Sequence, residues 1–296
     1  MLRPPAAILD TENPVVKECH TSIGGSMLDR LFTFPAGEAT FPERAVLKGG
    51  RLAPVTLPAT VAAFRHTTEG WILFDTGYAQ HVLDEARKWP EALYPWVIPF
   101  TVPISAADQL RARGVDPNDV RHVVISHLHP DHIGGLKDFP NAALHCPRRA
   151  WDVNAPATGL ARARLAFMPG LLPEDFRDRV HWIDGLDGSG AGPFPATGDL
   201  FGDGSVRFVG LPGHAAGQIG AFVQVGERRA LLAADSCWLS RGYTELRSPS
   251  RITYAILDDH RALVDTLSRL HHLHMSDREL VIVPSHCPDV PPLDWT

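Results

Sequence analysis

With 296 residues, 44% of them hydrophobic, the chain offers about 130 side chains to a core, enough to bury roughly three quarters of the unfolded surface, which excludes disorder and fibrous repeats. The 28 Lys+Arg against 34 Asp+Glu leave a net charge of −6 and no basic tract. A phosphate backbone and an anionic membrane surface are therefore poor partners, and a small-molecule substrate is the expected one.

Four cysteines, Cys19, Cys146, Cys237 and Cys287, are widely spaced without a C-x-x-C pair, so they suggest neither a disulfide framework nor a thiolate zinc ribbon and point to a reducing compartment. The first twenty residues mix prolines and acids where a signal peptide needs an apolar stretch. The longest apolar run, 93–104, is broken by Pro95, Pro99 and Pro103, short of the ~20 residues of a membrane helix. A cytoplasmic location is expected.

In chain order, residues 1–50 read partly as an extension before the first clear strand. Val55–Arg65 and Trp71–Phe74 are β-branched, aromatic and apolar runs joined across the polar residues 66–70, the pattern of a hairpin, and Asp75-Thr76-Gly77 ends it. Residues 89–103 set Trp89, Tyr94, Trp96 and Phe100 among prolines, a stiff aromatic segment suited to roof a substrate pocket. Ser105–Arg113 suits a helix with Ser105 as N-cap and Gly114 as its stop. Val120–Ser126 is a short buried strand; 142–146, 206–209, 220–225, 230–234 and 280–284 are further strands. The Gly-, Pro- and Asp-rich stretch 185–204 reads as a solvated connection, and 258–274 as an amphipathic helix. No repeat or polar linker divides the chain, so a single α/β (α+β) domain over 1–296 is expected, with two mixed sheets and helices outside.

Directly after the Val120–Ser126 strand stands His127-Leu128-His129-Pro130-Asp131-His132. With 15 His and 23 Asp in 296 residues, the pattern H-x-H-x-D-H arises by chance about 0.003 times per chain. In extended chain His127 and His129 project to the same side and can share one metal ion, while Asp131 and His132, beyond Pro130, turn toward a second. Imidazole and carboxylate without thiolate suit Zn²⁺, with Mn²⁺, Fe²⁺ or Co²⁺ as alternatives. His214, Asp235 and His286 each follow an apolar strand, where a ligand-type side chain leaves the sheet at its rim.

These residues, with Asp75, resemble the ordered signature of metallo-β-lactamase superfamily hydrolases, and the likeness runs from about Val55 to His286. The resemblance implies a four-layer αββα sandwich, two metal ions (His127, His129 and His214 on one; Asp131, His132 and His286 on the other; Asp235 bridging), and Asp75 orienting a ligand histidine. It implies hydrolysis by a metal-bridging hydroxide, with Asp131 and Asp235 as catalytic carboxylates. Within the superfamily the chain is most similar to quorum-quenching N-acyl-homoserine lactonases, for which dimerisation through an aromatic loop is a family expectation.

Those lactonases place a tyrosine three residues after the bridging aspartate; here that position is Trp238. Tyr243 is a substitute donor, and Trp89, Trp96 and Trp238 are expected to line the pocket. An aromatic pocket suits the aryl substrates of methyl parathion hydrolase-type phosphotriesterases equally well. The ten residues after His286 leave no room for the helical domain of glyoxalase II-type thioesterases, so that activity is less expected. A metal-binding protein without catalysis is the remaining class.

Overall fold

The computed structural model describes residues 27–296; Cys19 and the reading of the first twenty residues lie outside the described residues. Strands β1 (Leu28–Pro42), β2 (Pro54–His66), β3 (Gly70–Phe74), β4 (Phe100–Thr101), β5 (Val120–Val124), β6 (Ala143–Pro147) and β7 (Val180–Ile183) come first in the chain. β8 (Gly188–Ala191), β9 (Phe194–Asp199), β10 (Val206–Gly210), β11 (Ile219–Val225), β12 (Arg228–Ala234), β13 (Val281–Pro284) and β14 (Asp294–Trp295) follow. They form one hydrogen-bonded network in the order β7-β6-β5-β3-β2-β1-β11-β10-β9-β8, with β12 and β13 continuing from β11. Where two sheets were expected, the strand ladder runs on from one half to the other through the pairing of Leu28 with Val225.

Side chains settle how the halves stack. Ala62, Phe64, Ile72, Phe74 and Val124 of the first half pack with Phe208, Ala221, Val223, Leu232 and Val283 of the second, which makes the core between the sheets. The alternate residues Val61, Ala63, Leu73 and Val123 bury against Ala106, Ala107 and Leu110 of the Ala106–Ala112 helix. On the far side Val209, Leu231 and Ile282 meet Leu267, Leu270 and Leu273 of the His260–Ser276 helix. The layers are therefore helix, sheet, sheet, helix. Strands buried on both faces lose the polar alternation of a surface strand, which is why β2 and β12 read as plain apolar runs.

Several local readings match the structure. β2 and β3 form an antiparallel hairpin, and Ser105 Oγ accepts the backbone N–H of Asp108 as the N-cap of its helix. Two do not. The N-terminal "extension" contains β1, which pairs with β2, β4, β11 and β14 and buries Leu31, Phe32 and Phe34. The 185–204 connection contains the β8–β9 hairpin, whose Phe194 is buried and whose glycines let the backbones approach closely. Cys146, Cys237 and Cys287 are free and buried. No helix among the described residues is long and apolar enough to cross a membrane.

Candidate metal centre and active site

β3 and β5 run parallel, as do β12 and β13, so their C-terminal ends open at a common rim. Asp75 follows β3, Ser126 to His132 follow β5, His214 follows β10, Asp235 follows β12 and His286 follows β13. The β3 turn clamps the Pro130–Ile133 helical turn: the Thr76 N–H and Oγ–H both donate to the His132 carbonyl, at 2.8 and 2.9 Å. A Cβ on Gly134 would stand 2.6 Å from the Gly77 carbonyl, so this approach needs glycine. His214 is fixed by the start of the C-terminal helix, where the Asp258 N–H donates to its carbonyl at 3.1 Å.

The side chains fall into two groups that could each hold a metal ion, His127, His129 and His214, and Asp131, His132, Asp235 and His286. In the first, His129 Nδ1 is 3.0 Å from both His127 Nε2 and His214 Nε2. In the second, His286 Nε2 is 3.1 Å from Asp131 Oδ2. Asp235 spans both: Oδ2 lies 3.3 Å from His214 Nε2 and 3.0 Å from His286 Nε2, and Oδ1 lies 3.1 Å from His132 Nε2.

That last approach is not along a hydrogen-bond direction, and both atoms are buried without a hydrogen-bond partner. A buried polar atom so placed is costly unless something else satisfies it. A shared cation between the two atoms would do so, and the all-nitrogen-and-oxygen donor set fits zinc-type ions.

Three of the remaining ring nitrogens have partners, while His214 Nδ1 is buried without one. His132 Nδ1 donates to Asp75 Oδ2 at 2.7 Å, His286 Nδ1 donates to the Pro58 carbonyl at 2.6 Å, and His127 Nδ1 lies 3.0 Å from Ser126 Oγ. Asp75 also accepts from the Ser126 N–H and Oγ–H, both at 2.8 Å, and its backbone sits at φ 62°. Such partners fix tautomer and ring orientation, leaving the other nitrogen of each ring free to face a metal. Ser126 was not singled out in the sequence, although it stands immediately before His127.

Electrostatics follow from burial. Desolvation, helped by neighbouring imidazoles, holds His127 well below its ordinary value, His129 at about 3 and His214 below normal; they are neutral, with lone pairs available. Burial would lower His132 and His286 too, but Asp235 and the other carboxylates outweigh it, raising His132 strongly and His286 to about 10. Against the upward pull of burial, the imidazoles bring Asp131 to about 2 and Asp235 well below the carboxylate range.

A sequence profile of the Metallo-beta-lactamase superfamily matches residues 56–238. Over 240 residues, 76% of this chain and 73% of the other, the sequence is 32% identical to the probable metallo-hydrolase Rv2300c of Mycobacterium tuberculosis. The chain belongs to the metallo-β-lactamase superfamily. It is a metal-dependent hydrolase of that superfamily with lactonases among its relatives. It is 28% identical over 186 residues to the N-acyl homoserine lactonase AttM of Rhizobium radiobacter, covering 62% of this chain and 64% of AttM. An N-acyl homoserine lactone hydrolase, solved with N-hexanoyl-L-homoserine bound at its catalytic metal centre, shares the fold with a TM-score of 0.65 at 18% identity, over 89% of this chain and 95% of that one.

The centre forms the floor of a cavity of about 360 Å³, where His129, Asp131, His214, Asp235 and His286 reach the surface. The walls are mostly apolar: Phe41, Val46 and Leu57 on one side, Phe167 and Met168 on another, and Leu93, Tyr94, Val97 and Ile98 above. The 89–103 segment thus roofs the cavity, but not with its tryptophans. Trp89 and Trp96 are 69% and 89% exposed and do not line it; the Tyr94–Val97 helical turn points Tyr94 and Val97 inward instead.

Trp238 does line the cavity, but its Nε1–H donates to Asp235 Oδ2 at 3.1 Å. Tyr243 is packed among Cys237, Leu267 and Leu270 behind the second sheet and does not reach the cavity. Cys237 is buried beside Asp235, and burial pushes its thiol far up, which makes it inert. Glu91 is buried in the cavity wall and paired at 2.6 Å with Arg162 of the Gly159–Arg164 helix, which ties the 89–103 roof to a second covering segment, 159–168, that carries Phe167 and Met168.

Proposed function

We propose that this chain opens N-acyl-homoserine lactones and related lactones and esters bearing an apolar acyl group, using two zinc ions. The observation that carries the reading is the doubled His/Asp cluster, spanned by Asp235, at the floor of an apolar cavity of about 360 Å³. His127, His129 and His214 would hold one ion, Asp131, His132 and His286 the other, and Asp235 both. Bound there, the ions would supply Lewis-acid polarisation and a nucleophilic water ionised near neutral pH.

The protein's own residues do the rest. Neutral imidazoles and ionised carboxylates are the ligand forms a divalent cation requires. Asp131, which lines the cavity, would accept the proton released by the attacking water. The apolar walls favour an alkyl acyl group and exclude water from it, and the −6 net charge suits neutral substrates better than anions.

A second reading has its own support. With the Trp238 indole engaged on Asp235, an aryl ester or phosphotriester, whose leaving group departs without a proton, would be handled by the same floor. The deciding experiment is a parallel assay of the metal-loaded protein on acyl-homoserine lactones, δ-lactones, aryl esters, paraoxon-type triesters and a cephalosporin. Lactones are expected to turn over fastest; faster triester hydrolysis would reverse the order.

A further inference from the structure

The Trp238 N–H is committed to Asp235, and Tyr243 lies in the core. A pair of phenols stands elsewhere around the same cavity. Tyr78 follows Gly77 at the end of the β3 turn, and Tyr94 belongs to the roof. Their hydroxyl oxygens are 2.9 Å apart, and both line the cavity together with Asp131 and Asp235. Phe100 stacks on Tyr78 with centroids 4.6 Å apart and planes at 13°, and packs 5.6 Å from Tyr94, so neither ring is free to swing away.

In a two-phenol chain one proton fills the bond between the oxygens and the other is left to point outward. Tyr78 is fully buried while Tyr94 is partly exposed, so Tyr94 is the phenol that a substrate in the cavity reaches more readily. Burial and the Asp131 carboxylate raise both phenols, so each holds its proton at neutral pH.

We propose that Tyr94, positioned by Tyr78, is the catalytic acid that protonates the leaving oxygen of substrates with alkyl leaving groups, lactones and alkyl esters. The inference rests on the ester- and lactone-hydrolase reading above. As the water oxygen bonds to the acyl carbon, the bond from that carbon to the alkyl oxygen breaks. The departing oxygen takes the Tyr94 proton, the proton released by the water leaves to solvent, and the Tyr94 phenolate takes one back from solvent. One water and one ester give one acid and one alcohol. An alkoxide is a stronger base than an ordinary phenolate, so an alkyl leaving group gains from a phenolic proton. A nitrophenolate needs no proton.

The test compares Tyr94→Phe and Tyr78→Phe, loaded with zinc, on an acyl-homoserine lactone, a series of alkyl esters of graded leaving-group acidity, and p-nitrophenyl esters. Tyr94→Phe is expected to lower kcat on the lactone and alkyl esters by on the order of 10²–10⁴, with zinc content retained and a much smaller loss on p-nitrophenyl esters. Tyr78→Phe should show a smaller loss with the same selectivity.

In the unaltered protein kcat should depend little on leaving-group acidity, and Tyr94→Phe should make that dependence steep. A steep dependence in the unaltered protein, or equal losses on alkyl and aryl esters, overturns the assignment while leaving the hydrolase reading intact. If zinc-loaded protein hydrolyses no ester or lactone, both fall.

Discussion

The floor and the roof of the cavity face the same space but are held in different ways. On the floor, ligand-type residues leave the ends of β3, β5, β10, β12 and β13, and the second nitrogens of His127, His132 and His286 face Ser126, Asp75 and the Pro58 carbonyl. The roof is two short segments joined to each other by Glu91 and Arg162 and to the sheet by Tyr94 and Tyr78, with bulky side chains on its solvent side. Chemistry that needs fixed geometry sits on the rigid sheet ends, whereas contacts that select a substrate sit on segments free to vary. The contrast can be broken experimentally from either side.

The largest effect belongs to the residue that joins both halves of the floor. Asp235→Ala removes the carboxylate that contacts His132, His214 and His286, and loss of bound metal forfeits several kcal/mol of transition-state stabilisation, a fall in turnover of roughly a thousandfold or more. Elemental analysis should find fewer than two metal ions per chain, as it should for His129→Ala. Full metal content with an unchanged rate would remove both residues from the centre.

One layer out, Asp75→Asn keeps a residue tolerant of φ 62° but gives up one of the acceptors used by the Ser126 N–H, the Ser126 Oγ–H and His132 Nδ1. Partners of this kind are worth about 10–100-fold in metal affinity or activity. A chelator competition titration reads it, and an unchanged affinity would show that His132 needs no orienting.

The difference between floor and roof also explains what the sequence disclosed. Ligand chemistry is local: H-x-H-x-D-H after an apolar strand, then His214, Asp235 and His286 at further strand ends, announce a metal centre because few other arrangements use those residues so. The hairpin of β2 and β3 and the Ser105 cap are likewise fixed by neighbours in sequence. β1 reads poorly as a strand because Pro35, Gly37 and Pro42 interrupt its apolar residues and a register shift falls between Pro35 and Glu38. Which aromatics of 89–103 turn inward depends on a single helical turn and on the distant partners Tyr78 and Arg162, so the tryptophans were assigned to the wrong side. Trp238 could be placed at the site from its spacing, but its bond to Asp235 could not.

A smaller effect distinguishes the floor with and without metal. In the chelated protein His286 is held charged by Asp235 and Asp131, with its value raised from 6.5 to about 10. The stability this contributes is fully present below 6.5 and is lost as the pH rises through about 10. Asp131, lowered from 3.8 to about 2, contributes in the opposite sense, losing its share as the pH falls through that range. The melting temperature of chelated protein should therefore fall between neutral and about pH 10, while that of zinc-loaded protein, in which the metal replaces the proton on His286, should fall less. Parallel slopes would mean that His286 binds no metal.

The smallest effect is expected at the outer face of the roof. Trp96 is 89% exposed and lines no part of the cavity, although it is two residues from Tyr94, which does. If selection resides in inward-facing groups alone, Trp96→Ala should change stability by no more than about 0.5 kcal/mol, as exposed substitutions do, and leave kcat and KM for every substrate class within about twofold. Val97→Ala, one position further, at the cavity rim and 58% exposed without substrate, removes apolar surface that a long acyl chain would cover and should raise KM for long acyl chains more than for short ones. A larger KM change from Trp96 than from Val97 would mean that the roof closes over substrate with its tryptophans turned inward, and the division between a fixed inner face and an idle outer one would no longer hold.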